Sequence, residues 1–89
     1  MPRRSKLEIV AEVLEALARG PTNPTRLATL VNMPYDRLRA LLDELEARGV
    51  VRIAEGGRSA TVELTLQGGK LLRELRRLKR VLRDFGLEL

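Results

Sequence analysis

The side chains of this chain that could do chemistry are mostly basic, and the most informative of them lie at the start of a predicted helix. From Pro34 to Gly49 the leucines recur at helical spacing, which predicts one buried stripe and leaves the other side chains outside. Most of the acidic residues follow later in this helix, so docking by its N-terminal end would bring the arginines to DNA and keep acids from phosphate. The predicted contact residues here are Tyr35, Asp36, Arg37, Arg39 and Ala40.

A second set of basic residues lies outside this helix and is suited to phosphate contacts, which position a protein on DNA. Arg58 lies in a glycine-rich turn and Arg52 in the run before it, so both are candidates for a β-hairpin that touches the backbone. An ordinary exposed hairpin with solubilising arginines is the alternative. The remaining candidates for backbone contacts are Arg26, Arg3, Arg4 and Lys6, the last three in a basic N-terminal arm.

Charge is unevenly distributed along the 89 residues, whose net charge is +5. Residues 1–6 carry +3 and residues 66–89 carry +4, whereas residues 7–65 carry −2. A polyanionic partner is therefore favoured, with much of the attraction coming from the two ends. The alternative is that these basic residues only solvate helix surfaces.

The composition argues against catalysis and metal binding. The chain has no cysteine and no histidine, so disulfides, thiolate metal sites and the commonest general base are excluded. The acidic residues are spread along predicted helix surfaces without a pairing that suggests an active site. We therefore expect no enzyme activity, no cofactor and no metal. We also expect no membrane span and a cytoplasmic location, nucleoid-associated if the protein is of a chromatin type.

Local signals place these residues on elements. Ser5 and Glu8 form a capping box for a first helix, and Asn23 with Pro24 begins a short second helix. A turn at residues 31–33 leads to the long helix that ends at Gly49, which is a helix-turn-helix arrangement. Residues 50–55 and 60–66 alternate as strands around a glycine-rich turn, and they predict a hairpin, or wing.

The last helix is predicted from residue 66 onward, with Thr65 as its cap. Its apolar residues recur every three or four positions, as in a coiled coil, and this favours pairing with a second copy. Packing onto the chain's own domain is the alternative. The predicted dimer interface comprises Leu71, Leu75, Leu78, Leu82, Phe85 and Leu89.

The order of these elements predicts an α+β, mostly helical fold. It is a winged helix-turn-helix, with three helices and a two-stranded hairpin, followed by a long C-terminal helix. We predict residues 1–65 to be the DNA-binding domain and residues 66–89 to be the dimerisation helix.

The segments TRLATLVNMPYDRLRALLDELEARGVV and LTLQGGKLLREL carry a resemblance to small archaeal winged-helix DNA-binding proteins, of the regulator or chromatin type. The resemblance implies a homodimer through an antiparallel coiled coil of the last helices, with the second helix of the helix-turn-helix in the major groove. The family serine in the turn is Pro34 here, so Asn32 is expected to replace its cap. Gly68 and Gly69 are expected to loosen the joint between wing and last helix.

Two other functions stay open from the sequence. A protein–protein adaptor without nucleic-acid binding is supported by Asp36 and Asp43 on the predicted reading surface. A structured-RNA binder is disfavoured because Tyr35 and Phe85 are the only aromatic residues, which leaves little for base stacking.

Overall fold

The computed structural model describes residues 3–88 and has the predicted winged helix-turn-helix architecture. Three helices are followed by an antiparallel hairpin and a fourth, long helix. Their bounds are α1 Lys6–Leu17, α2 Pro24–Leu30, α3 Tyr35–Ala47, β1 Val51–Ala54, β2 Thr61–Leu64 and α4 Leu66–Asp84. The fold-class prediction is therefore confirmed.

Three of the four helices begin at the predicted caps. Ser5 and Glu8 form both hydrogen bonds of the capping box, Asn23 accepts from the N–H of Arg26, and Thr65 accepts from the N–H of Gly68. Because these side chains satisfy backbone N–H groups that have no partner inside the helix, local sequence fixes where each helix starts.

The turn between α2 and α3 differs from the prediction. Pro34 is the N-cap of α3, and no side chain caps that helix, so the expectation that Asn32 replaces the missing serine is wrong. Asn32 instead has φ of 55°, a left-handed conformation that asparagine tolerates better than most residues. Asn32 therefore shapes the turn through its backbone.

The core lies where α1, α2 and α3 meet the inner face of the hairpin and the first half of α4. Its fully buried large side chains are Leu14, Leu27, Leu38, Leu42, Val13, Val51 and Val62. Packing of Leu38 and Leu42 sets the rotation of α3 about its axis, so it decides which side chains of α3 are exposed.

The hairpin is tied to the rest of the fold on both sides. β1 and β2 pair in the register Val51↔Leu64 to Ala54↔Thr61, so each strand is shorter than predicted. Thr22, just before α2, exchanges two backbone hydrogen bonds with Val62. On the opposite side, the N–H of Ile53 donates to Oε2 of Glu46 in α3 at 2.8 Å.

The joint between wing and α4 is tight, which corrects the expectation that Gly68 and Gly69 loosen it. Gly68 is buried, and a Cβ placed on it would lie 2.1 Å from the carbonyl oxygen of Val50. The hydroxyl of Thr65 also donates to the carbonyl oxygens of Gly49 at 2.6 Å and Val50 at 3.0 Å. Gly68 therefore permits close approach of helix and hairpin.

The residues of the predicted dimer interface in α4 are divided between the core and the surface. Leu75 is only 7 % exposed and, with Leu72, belongs to the core, while Leu71 packs against that core. These contacts correct the predicted dimer interface at its N-terminal end, because Leu71 and Leu75 pack against their own chain. Further along, Leu78 is 42 % exposed and Phe85 76 % exposed. Leu89 lies outside the described residues.

Candidate nucleic-acid interface

The N-terminal end of α3 is exposed in the way the leucine stripe predicts. Leu38 is fully buried, and its neighbours along the helix therefore face outward. Tyr35, Asp36, Arg37 and Ala40 are exposed, and Arg39 is partly covered. The first turn of α3 thus offers one aromatic ring, one carboxylate and one exposed arginine side chain to a partner.

Arg37 lies on the side of α3 that faces the N-terminal segment. It lines a surface depression together with Arg3, Arg4 and Ile9. Within residues 3–88, no carboxylate lies within ion-pairing distance of Arg37. The depression therefore gathers basic side chains from two parts of the chain, and it is an electropositive edge of the interface.

Arg39 lies on the other side of α3, toward the wing, and it has two acidic partners. Its Nη2 is 2.5 Å from Oε1 of Glu55 and its Nε is 3.4 Å from Oδ1 of Asp43. Its side chain is 29 % exposed. The hydrogen bond to Glu55 is the main cause that raises the pKa of Arg39 above its ordinary value. Arg39 therefore stays protonated, and its positive charge is offset by carboxylates of its own chain.

The wing and α3 enclose an open groove of about 320 Å³ beside Arg39. Tyr35 and Arg39 line it from α3, and Glu55, Arg58 and Ser59 line it from the hairpin. Arg58 is exposed at the hairpin tip, and no salt bridge involves it in the part of the chain that the structure describes. Two arginines thus line the groove: Arg58, which forms no salt bridge among the described residues, and Arg39, whose charge is offset by Glu55.

Arg4 holds the turn of the helix-turn-helix in place, so it is not part of a free arm. Its Nη1 lies 2.9 Å from Oε1 of Glu12 in α1 and donates to the carbonyl oxygen of Val31 at 2.8 Å. Its Nη2 donates to the carbonyl oxygen of Asn32 at 3.1 Å. One guanidinium therefore joins α1 to the end of α2, and this corrects the prediction that Arg4 lies in an arm that contacts the DNA backbone.

The other predicted backbone contacts differ in how far their charge is available. Lys6 lies in α1, with its Nζ 2.7 Å from Oε2 of Glu44. Arg52 forms a cross-strand ion pair with Glu63, the residue opposite it in the hairpin. Arg26 is exposed at the start of α2, and Arg3 is exposed next to Arg37. Arg26, Arg3 and Arg58 are therefore better placed than Lys6 and Arg52 to meet phosphate.

The acidic partners that determine which basic residues lack an ion pair were not predicted from the sequence. Glu55 forms an ion pair with Arg39, and Glu12 forms one with Arg4. Neither pair has the helical spacing of three or four residues that would mark it in the sequence. The pair of Arg52 and Glu63 was missed as well, because it depends on the register in which the two strands of the hairpin pair.

Between residues 3 and 88, no group of acidic side chains is arranged to hold a metal ion. In the same range, no helix is long and apolar enough to cross a membrane.

Comparison with known proteins identifies the family. A model described as "Winged helix-turn-helix" matches residues 3–83. Comparison with curated proteins gives no match. Among solved structures, the chain is similar to the transcriptional regulator BldR from Sulfolobus solfataricus, with 30 % identity and a TM-score of 0.72 over 85 % of this chain and 60 % of that chain.

Two further structures are informative. The transcriptional repressor CouR, solved bound to a 23-mer DNA duplex, has 28 % identity and a TM-score of 0.73 over 85 % of this chain and 55 % of that chain. Sso10a-2, a DNA-binding protein from Sulfolobus solfataricus, has 20 % identity and a TM-score of 0.80 over 92 % and 85 %, which supports the fold alone.

The chain spans 60 % or less of the length of the two regulators, BldR and CouR, and 85 % of that of Sso10a-2. Its fold matches that of transcriptional regulators, some of them archaeal. With 81 of 89 residues matched by the family model, the chain belongs to the winged helix-turn-helix family.

Proposed function

We propose that this protein binds double-stranded DNA as a homodimer and acts as a transcriptional regulator or chromatin-associated protein. The observation that carries the proposal is the exposed N-terminal turn of α3, flanked by free guanidinium groups. Arg37 with Arg3 lies on one side of the turn, and Arg58 lies across the groove on the other. Their separation across α3 suits a duplex, whose phosphates run along both edges of the major groove.

In this proposal α3 enters the major groove and the wing and N-terminal segment contact the backbone. Tyr35, Asp36, Arg37 and Ala40 are exposed where a base edge would lie. Arg58, Arg26 and Arg3 are exposed where phosphates would lie, so they supply the salt-dependent part of the affinity. CouR, a structural neighbour with 28 % identity, was solved bound to a 23-mer DNA duplex, and this supports DNA binding by the present chain.

The dimer is proposed to form through the C-terminal half of α4. Leu78, Val81, Leu82 and Phe85 fall at spacings of three and four residues, so they share one face of the helix. Three of them are exposed in the single chain although they are apolar, and a second copy of the same face would cover them.

A titration of labelled duplex by fluorescence anisotropy at about 50 mM and about 200 mM salt tests the proposal. Arg37→Ala should cost about 1–3 kcal/mol and relax any sequence preference, whereas Arg58→Ala should weaken all duplexes alike and reduce the salt slope by about 1. Arg48→Ala is the matched control, because Arg48 is exposed at the opposite end of α3. Its affinity should equal that of the parent.

A protein–protein adaptor is the second candidate. It is favoured by the exposed carboxylate of Asp36 on α3 and by the ion pairs that neutralise Arg39, Arg52 and Lys6. The same titration separates the two functions. Absence of binding to any duplex at the lower salt concentration would reject DNA binding and leave the adaptor.

A further inference from the structure

Arg39 and Glu55 form an ion pair within the proposed DNA surface. Glu55 follows β1 at the start of the hairpin loop, and Arg39 lies one turn into α3, so the pair joins the two elements that would flank the DNA backbone. The side chain of Glu55 is 66 % exposed and lines the groove, so its carboxylate would lie near any phosphate that enters. Without its partner, that carboxylate would repel the backbone.

The geometry is poor for direct base reading by Arg39. Its Nη2 is bound to Glu55 at 2.5 Å and its Nε lies near Asp43 at 3.4 Å, so two sides of the fork are already committed. A bidentate contact with guanine needs two free N–H groups in one plane. Arg39 would have to reach a base with its remaining N–H groups, while Glu55 and Asp43 offset its charge and hold its guanidinium on the side of the wing.

We infer that Arg39 is a positioning residue of the DNA interface: it neutralises Glu55 and holds the wing against α3, and it does not itself contact a base. The inference rests on the proposed function. It reassigns Arg39 from the set of groove contacts to the support of the wing, and it makes Glu55 a residue that limits affinity.

Binding of one duplex by the parent, Arg39→Ala, Glu55→Gln and the double variant tests this role. Arg39→Ala should weaken binding about tenfold, because it leaves Glu55 charged and unpaired, and Glu55→Gln should strengthen it up to about threefold. The double variant should bind as tightly as the parent, because the repelling charge is gone together with its partner, whereas independent effects would leave it about threefold to tenfold weaker. Rescue of this kind is not expected of a residue that contacts DNA itself.

Arg37 supplies the matched control. Arg37 lies on the opposite side of α3 and has no acidic partner among residues 3–88, so Glu55→Gln should not rescue Arg37→Ala, and the two effects should add. A double variant Arg39→Ala, Glu55→Gln that stays as weak as Arg39→Ala would overturn the inference. Failure of the parent itself to bind duplex would overturn the proposed function, so the two failures are distinguishable.

Hydrogen exchange in the protein without DNA gives an independent readout. Loss of either partner should speed amide exchange at the wing tip, residues 56–59, and the double variant should show no further increase. Equal exchange rates in the parent and Arg39→Ala would overturn the wing-holding role.

Discussion

Arg76 on α4 binds Glu15 on α1 through two N–H groups of its guanidinium. Nε donates to Oε2 at 2.9 Å and Nη2 donates to Oε1 at 2.6 Å. The two residues are 61 positions apart, and their pairing lies just beyond Leu75, the last α4 side chain in the core. The bidentate contact therefore extends the attachment of α4 to the domain toward its exposed C-terminal half.

The Arg76–Glu15 pair predicts a pH dependence of stability. The hydrogen bond from Arg76 lowers the pKa of Glu15 below its ordinary value of 4.5. A lowered folded-state pKa contributes stability above the unfolded pKa, and this is lost as pH falls through the folded-state value. Glu15→Gln should therefore lower the melting temperature by about 2–4 °C at pH 7, since both groups are partly exposed, and the difference should vanish in strong acid.

Calorimetric scans from pH 3 to pH 7 check this prediction, with Glu74→Gln as the control. Glu74 is exposed and lies 3.7 Å from Arg77, so its replacement should change the melting temperature little at any pH. A Glu15→Gln difference that stays constant down to pH 3 would contradict the assignment.

The two adjacent glycines at the start of α4 should respond oppositely to alanine. Gly68→Ala forces a methyl group to 2.1 Å from the Val50 carbonyl oxygen and 2.9 Å from a Leu64 methyl, which should cost about 3 kcal/mol or more of unfolding free energy. A Cβ placed on Gly69 would meet no atom of another part of the chain within 4 Å, so Gly69→Ala should stabilise α4 by about 0.5–1 kcal/mol. Urea denaturation measures both, and equal effects would argue against the close contact.

Arg4 and Arg3 should separate stability from DNA affinity. Arg4→Ala removes hydrogen bonds to Glu12, Val31 and Asn32 and should lower the free energy of unfolding by about 1–2 kcal/mol. Arg3→Ala should leave stability unchanged within about 0.5 kcal/mol, since Arg3 is exposed. Chemical denaturation and duplex titration of both variants check this, and an unchanged stability of Arg4→Ala would show that the turn does not need its support.

The exposed half of α4 should control oligomeric state. Leu78→Asp places a charge on the apolar face outside the core, because Leu78 is 42 % exposed and is not one of the buried core residues, so it should yield a folded monomer. Leu66→Asp is the matched control: Leu66 is exposed in the first turn of the same helix, away from that face. Sedimentation equilibrium with circular dichroism measures assembly and folding together, and a parent that is itself monomeric would reject the proposed dimer.

Sequence predicted those parts of the fold that nearby residues determine. The caps at Ser5, Asn23 and Thr65 act within three residues, and the leucine stripe of α3 follows from its own periodicity. These local signals were sufficient to place every helix and the hairpin. The exposure of Arg37 followed from the same stripe.

Features set by distant residues were not predictable in this way. The expected loosening at Gly68 came from helix propensity, whereas the close approach of Val50 decides its role. Arg39 and Arg4 looked free because Glu55 and Glu12 become their partners only after folding. Likewise, the heptad pattern of α4 did not separate Leu75, which completes the core, from Leu78, which faces solvent.

The bonds that Glu46 and Thr22 make to the hairpin also protect it from unwanted association. On the outer edge of β1 the N–H of Ile53 is occupied by the Glu46 carboxylate, and on that of β2 both polar groups of Val62 are occupied by Thr22. Free strand edges are templates for intermolecular sheets and fibrils. Because both edges are blocked at their centres, the hairpin resists intermolecular strand pairing even where copies of the protein are concentrated.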